Sequence, residues 1–304
     1  MAERKKWFLY GCLGCLGIVV LVVLIGAIVS GAAMFQVRQE QVEQRVSTQE
    51  IQSTVASETE DPELLDASAV AGHVRLNLIR TEFEIEALPP GEALRVEATY
   101  DKRSYELTES LEHGADGAWT YDLQFSSSGS NLMAALRQLF GGTAPKVQVF
   151  LPSDIPLSLE LVLAQGGGRL DLGGMWLTEV DLHLEQGGFQ VDVDEPLRYP
   201  VERFSMRGSM GGMQVSRLGN ASPRKLDVEF DMGGLELDLR GLWLNDSDIN
   251  IQSSMGGAVL RLPRDVTIVG LDFGGFRAPQ DAEIPPPTLR FTTSTSMGEL
   301  EIIP

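Results

Sequence analysis

Three histidines, two cysteines and a row of carboxylates are the side chains of this 304-residue chain that could carry out chemistry. His73, His113 and His183 fall in separate segments, and none is spaced as a metal-binding pair. They read as structural or surface groups. No nucleophile-elbow motif is present. Cys12 and Cys15 have Cys-x-x-Cys spacing, but they lie in an apolar run with no further ligand nearby. The rest of the chain has no cysteine and therefore no disulfide or thiol chemistry. We assign no catalytic residue, no cofactor and no metal from the sequence.

The carboxylates are the sharper prospect. Asp171, Asp181, Asp192, Asp194, Asp227, Glu229, Asp231, Glu236 and Asp238 fall on the outward parity of alternating segments. If those segments stack, Asp171, Asp192, Asp194 and Asp238 form a speculative acidic face. A calcium-dependent, carbohydrate-active β-helix would use such a face, and a solvated polar surface is the alternative. The run Gly166–Leu172 superficially resembles a calcium-binding nonapeptide, but Arg169 occupies the fourth position, where the motif needs glycine, and no successive copy follows. Asn220-Ala221-Ser222 and Asn245-Asp246-Ser247 are formal glycosylation sequons.

The elements that would position these groups are set by glycine. Doublets begin at Gly166, Gly187, Gly211, Gly233, Gly256 and Gly274, and a single glycine, Gly298, closes the series. The second members are Gly167, Gly188, Gly212, Gly234, Gly257 and Gly275. The gaps of 18 to 24 residues are the mark of stacked repeats. Gly173-Gly174 lies outside the register and reads as a turn. Seven, five and three residues before each first glycine the chain is mostly apolar, as in Leu159, Leu161 and Leu163. After the glycines the apolar positions move to even offsets, as in Phe189 and Val191. A one-residue slip turns a strand over, so the inward face survives only if the backbone bends or bulges at the doublet. Each unit is expected to be strand, glycine corner, strand and return loop. The fold class is all-β, a β-solenoid or β-roll of about seven units of about 22 residues.

The position before each doublet holds Gln165, Gln186, Met210, Met232, Met255, Phe273 or Met297. Four methionines in one column could suggest a metal or partner site. Their parity continues that of the inward strand positions, so the expectation is that they fill a corner of the core.

Net charge is −19. Cations clustered for phosphate are absent, which argues against nucleic acid as a partner. Residues 1–6 are a short basic start, expected to be cytoplasmic. Residues 7–35 contain no charge and are long enough to cross a bilayer as a tilted helix. This predicts a single-pass protein of the cell (inner) membrane, its bulk extracytoplasmic or periplasmic. A cleaved signal peptide is the rival reading, with Ser30 to Ala33 as the cleavage region. Gly11, Gly14 and Gly17, and Gly26 with Ser30, have spacings that would suit self-association through the helix. Residues 36–68 read as a partly helical stalk and linker. Residues 69–152 read as an antiparallel β lead-in with a short amphipathic helix at 131–140. Residues 153–304 hold the repeats, with a proline-rich excursion at 277–287.

A strand ending in Val147–Pro152, followed by rungs such as Leu182-His183-Leu184-Glu185-Gln186-Gly187-Gly188-Phe189-Gln190-Val191-Asp192-Val193, resembles the bacterial putative-adhesin, or toast-rack, β-solenoid domains. The resemblance covers roughly residues 70–304. It implies architecture, and the matching positions are structural glycines and core apolar residues, so it carries over no functional residue. The expected role is a membrane-anchored, adhesin-like or envelope-associated binding module whose partner is a protein or an envelope glycan. The calcium-dependent enzyme and an envelope-stress or signalling accessory are the alternatives.

Overall fold

A computed structural model describes residues 42–49, 72–114, 117–128, 144–271 and 285–304. The first strands are β1 (Val42–Gln49), β2 (Gly72–Leu78), β3 (Thr81–Leu88), β4 (Leu94–Asp101), β5 (Tyr105–His113), β6 (Trp119–Ser127) and β7 (Lys146–Pro152). The repeats supply β8 (Leu157–Asp171), β9 (Leu177–Asp192), β10 (Arg203–Ser216), β11 (Lys225–Asp238), β12 (Ser247–Arg261), β13 (Thr267–Val269) and β14 (Thr288–Ile303). All fourteen join one open sheet. Among the described residues the only helical element is a 3-10 turn at Leu218–Ala221.

Strands β8 to β12 pair in parallel, each with the next, and β12 pairs directly with β14. The glycines keep register throughout: Gly166, Gly187, Gly211, Gly233, Gly256 and Gly298 stand in one column. The expected copy at Gly274-Gly275 lies outside the described residues. Its first segment, β13, pairs Thr267 with Thr288, three residues away from the repeat alignment, which matched Thr267 with Phe291.

The alternation works as the pattern requires. Leu159, Val180, Phe204, Leu226, Ile249 and Phe291 are buried on one side of the corner. Leu170, Val191, Val215, Leu237 and Leu260 are buried on the other. One apolar cluster unites them with the return loops through Leu172, Leu197, Leu218, Leu239 and Leu262. Burying each such side chain contributes about 1.5–3 kcal/mol, so the stacked units share a core that no single unit could form. Where one rung needs more room, its neighbour gives it: a Cβ at Gly208 would lie 2.5 Å from ring carbons of Phe230.

The N-terminal region departs from the expected antiparallel lead-in. β2 and β3 both pair in parallel with β8, on either side of its corner. Thr81 stands in the glycine column, opposite Gly166, and Arg80 takes the turn with φ of 53°. β6 and β7 extend the stack in parallel beyond β2 and β3. The ladder thus crosses the boundary placed at residue 152. Among the described strands only β1–β4, β4–β7 and β5–β6 are antiparallel.

Within the segment read as a stalk, Val42–Gln49 is a strand against β4, not a helix. Its alternating pattern of exposed and half-buried residues suits a sheet edge. Arg45 reaches Glu109 at 2.9 Å, and Ser47 donates to the same carboxylate. The remainder of the stalk, the apolar segment 7–35 with its two cysteines, and the helix expected at 131–140 lie outside the described residues. No helix among the described residues is long and apolar enough to cross a membrane.

Candidate functional site: the glycine seam

At the corner of each described glycine rung, from two residues before the first glycine to one after it, no position is buried. The seam is therefore an exposed band running across the strands. Its backbone is unusual. Gly166, Gly187, Gly211, Gly233 and Gly256 have φ between 129° and 148°, a region that side chains rarely adopt. A Cβ at any of Gly187, Gly211, Gly233, Gly256 or Gly298 would overlap the carbonyl oxygen of the glycine on the preceding rung. At Gly166 the obstacle is the carbonyl of Thr81. The first glycine is thus demanded by the stacking itself.

The second glycine is demanded only in the first rungs, where a Cβ at Gly167 would lie 2.8 Å from the Gly188 carbonyl oxygen and one at Gly188 would lie 3.1 Å from that of Gly212. None of Gly167, Gly188, Gly212, Gly234 and Gly257 has a positive φ. A Cβ at Gly212, Gly234 or Gly257 would meet nothing within 4 Å. These three, with Gly188 and the column two residues further on (Gln190, Gln214, Glu236, Val259), line an open trough of about 590 Å³. Adjacent strands lie about 4.8 Å apart, so the five rungs from β8 to β12 span about 19 Å along the stack.

The trough leads into a wider cavity of about 770 Å³, and Gly168 and Gln190 border both. This end is ionic. Arg80, Lys146 and Arg169 line it, together with Glu82 and Glu84. Arg80 Nε donates to Gln165 Oε1 at 2.6 Å, and Gln165 Nε2 donates to Gln186 Oε1 at 2.7 Å. The Lys146 ammonium, 2.7 Å from Glu84, holds that carboxyl below its ordinary range despite some burial. Gln148 Nε2 also donates to Glu84, at 2.7 Å.

The methionine column overturns its expected place. Met210, Met232 and Met255 are 43%, 40% and 42% exposed, and Met297 is 68% exposed. In β8 to β12 the core ends three residues before the glycine, and the next position on the inward parity stands on the exposed band. Met175, Met206 and Met213 are the ones that fill the core.

The four residues of the expected acidic face, Asp171, Asp192, Asp194 and Asp238, do not form one face. Asp171 and Asp192 stand in register on β8 and β9, with Asp194 nearby. Burial raises the Asp171 pKa, and Asp194 adds to the effect, while the Gly173 N–H opposes it. Arginine compensates the group: Arg217 holds Asp192 at 2.7 Å, and Arg169 lies 3.6 Å from it. Asp238 is apart and buried, and Arg240 grips both its oxygens at 2.8 and 2.6 Å. Among the described residues no three His, Cys, Asp or Glu side chains gather as a metal site.

The sequons are structural. Asn220 Nδ2 donates to the Val193 carbonyl at 2.8 Å, and its Oδ1 accepts from the Leu242 N–H at 2.9 Å. Asn245 Oδ1 accepts from Ser222 Oγ at 3.0 Å. The repeat column carried a signal for the exposed methionines. Nothing in the spacing marked the trough, because the two glycines of a doublet look alike in sequence.

No family model and no curated protein matches the chain. Solved structures do. The chain is similar to a putative cell adhesion protein from Clostridium sporogenes ATCC 15579, at 12% identity and a TM-score of 0.36, over 86% of this chain and 99% of that one. It is similar to a putative adhesin from Bacteroides fragilis NCTC 9343, at 8% identity and a TM-score of 0.39, over 86% and 97%. A putative adhesin from Parabacteroides merdae ATCC 43184 is similar at 8% identity and a TM-score of 0.36, over 88% and 98%.

Proposed function

We propose that this chain is a binding module that works without catalysis, a β-solenoid held at the cell membrane by residues 7–35, with its bulk on the extracytoplasmic side. The trough over the second glycines receives an elongated partner, a protein segment or an envelope-glycan strand, laid along the stack.

One observation carries this reading. Glycine recurs at Gly212, Gly234 and Gly257, where neither torsion nor space asks for it. Glycine in a strand costs about 0.5–1 kcal/mol relative to alanine. Three such costs in adjacent rungs, with no return in folding, fit a surface kept clear for something that approaches the backbone closely. The uncharged run at 7–35, with cations before it, supports the anchor.

The test is photocrosslinking in intact cells from a probe at Gln214, beside the trough, with a probe at exposed Asp265 as the control. A discrete adduct from Gln214 alone supports the reading. Equal labelling from both positions, or none from either, contradicts it.

A further inference from the structure

The exposed methionines lie outside the binding role just described, and they support a separate inference. On β10, β11 and β12 the register pairs Met210 with Met232 and Met232 with Met255, and Met297 continues the column on β14. Seven methionines lie among the described residues; three are core and the other four form this one exposed column. The position does not itself require an apolar group. In β8 and β9 the same column holds Gln165 and Gln186, joined by a hydrogen bond. What the later rungs share is a thioether in water.

We propose that Met210, Met232 and Met255 form a site for a soft monovalent cation, Cu(I), with Met297 as an outlying fourth ligand. Thioether sulfur selects soft ions of this kind over Mg²⁺ or Ca²⁺. Neighbouring strands hold the three Cα atoms at steps of about 4.8 Å. Metal–sulfur bonds of about 2.3 Å in a trigonal arrangement place the sulfurs about 4 Å apart. Met210 and Met255 stand two steps apart, about 9.6 Å at Cα, so their long, flexible side chains must both lean toward Met232 to close the triangle. No electron transfer is involved: the ion binds as Cu(I) and leaves as Cu(I).

The test uses the full chain with Cys12→Ser and Cys15→Ser, since thiolates would otherwise compete. Ag(I), a redox-inert stand-in, is titrated by calorimetry, with methionine methyl groups followed by NMR. The expected result is saturable binding that moves the methyl signals of Met210, Met232 and Met255 and leaves Met175 and Met206 unmoved. Met232→Leu keeps the volume and removes the sulfur, and the affinity then falls at least tenfold with the melting temperature unchanged. Binding stays constant between pH 5 and 8, because a thioether does not titrate there. Three results overturn the site: no saturable binding, unchanged affinity in Met232→Leu, or affinity that follows the protonation of a histidine or carboxylate.

Discussion

Gly187 rests on the carbonyl of Gly166 with no room for a β-carbon between them. The same contact repeats from rung to rung, so the first glycine of each doublet is a stacking element. The second glycine, one residue later, faces open space in three rungs. This difference between neighbours that look identical in sequence separates the glycines that the stacking demands from those that it leaves free, and leads to the first expectation.

Gly211→Ala places a side chain at φ of 137° and into the Gly187 carbonyl. Strain at such a torsion alone costs about 1–3 kcal/mol, and the overlap adds to it. Gly212→Ala meets neither obstacle and stabilises by about 0.5–1 kcal/mol. Urea unfolding of the two variants should give shifts of opposite sign.

The acidic group near β8 gives a pH-dependent expectation. The folded state raises the Asp171 pKa, chiefly by burial. A raised carboxyl disfavours folding once ionised. That penalty is absent below the unfolded pKa and complete above the folded one. Asp171→Asn should therefore raise the melting temperature at pH 7 and leave it unchanged near pH 3.

Calcium should do little. Asp192 is already held by Arg217 and approached by Arg169. Thermal melts with and without millimolar calcium are expected to coincide. A calcium-dependent rise that Asp192→Asn abolishes would restore the enzyme alternative.

The last strand is tied to the stack by Asp246. Its carboxylate accepts from the Thr288 N–H and from Arg290, each at 2.8 Å, and these donors lower its pKa. A lowered carboxyl supports the fold above its unfolded pKa and loses that support as pH falls through the folded value. Hydrogen exchange at Thr288 should therefore quicken in Asp246→Ala at pH 7, and in the parent chain only below about pH 4.

Much of the architecture was legible because it rests on two periodicities. The spacing of glycines located the rungs from β8 to β12, and alternation about them located residues such as Leu161 and Leu237. The N-terminal rungs escaped because Arg80 and Thr81 do at β2–β3 what glycine does elsewhere, and no spacing argument finds a corner made without glycine. Val42–Gln49 escaped because an edge strand buries little, so its apolar spacing stays irregular. The methionine column was visible as a column, but parity could not show where the core stops. The trough could not be read at all: it depends on the space above Gly212, and only stacking determines that.

The most direct test is to fill the trough. Valine suits a strand, and a Cβ at Gly212, Gly234 or Gly257 would meet nothing within 4 Å. The triple variant should melt no lower than the parent and lose the crosslinked adduct formed from Gln214 in cells. A variant that folds equally well and keeps the adduct undiminished would contradict the account.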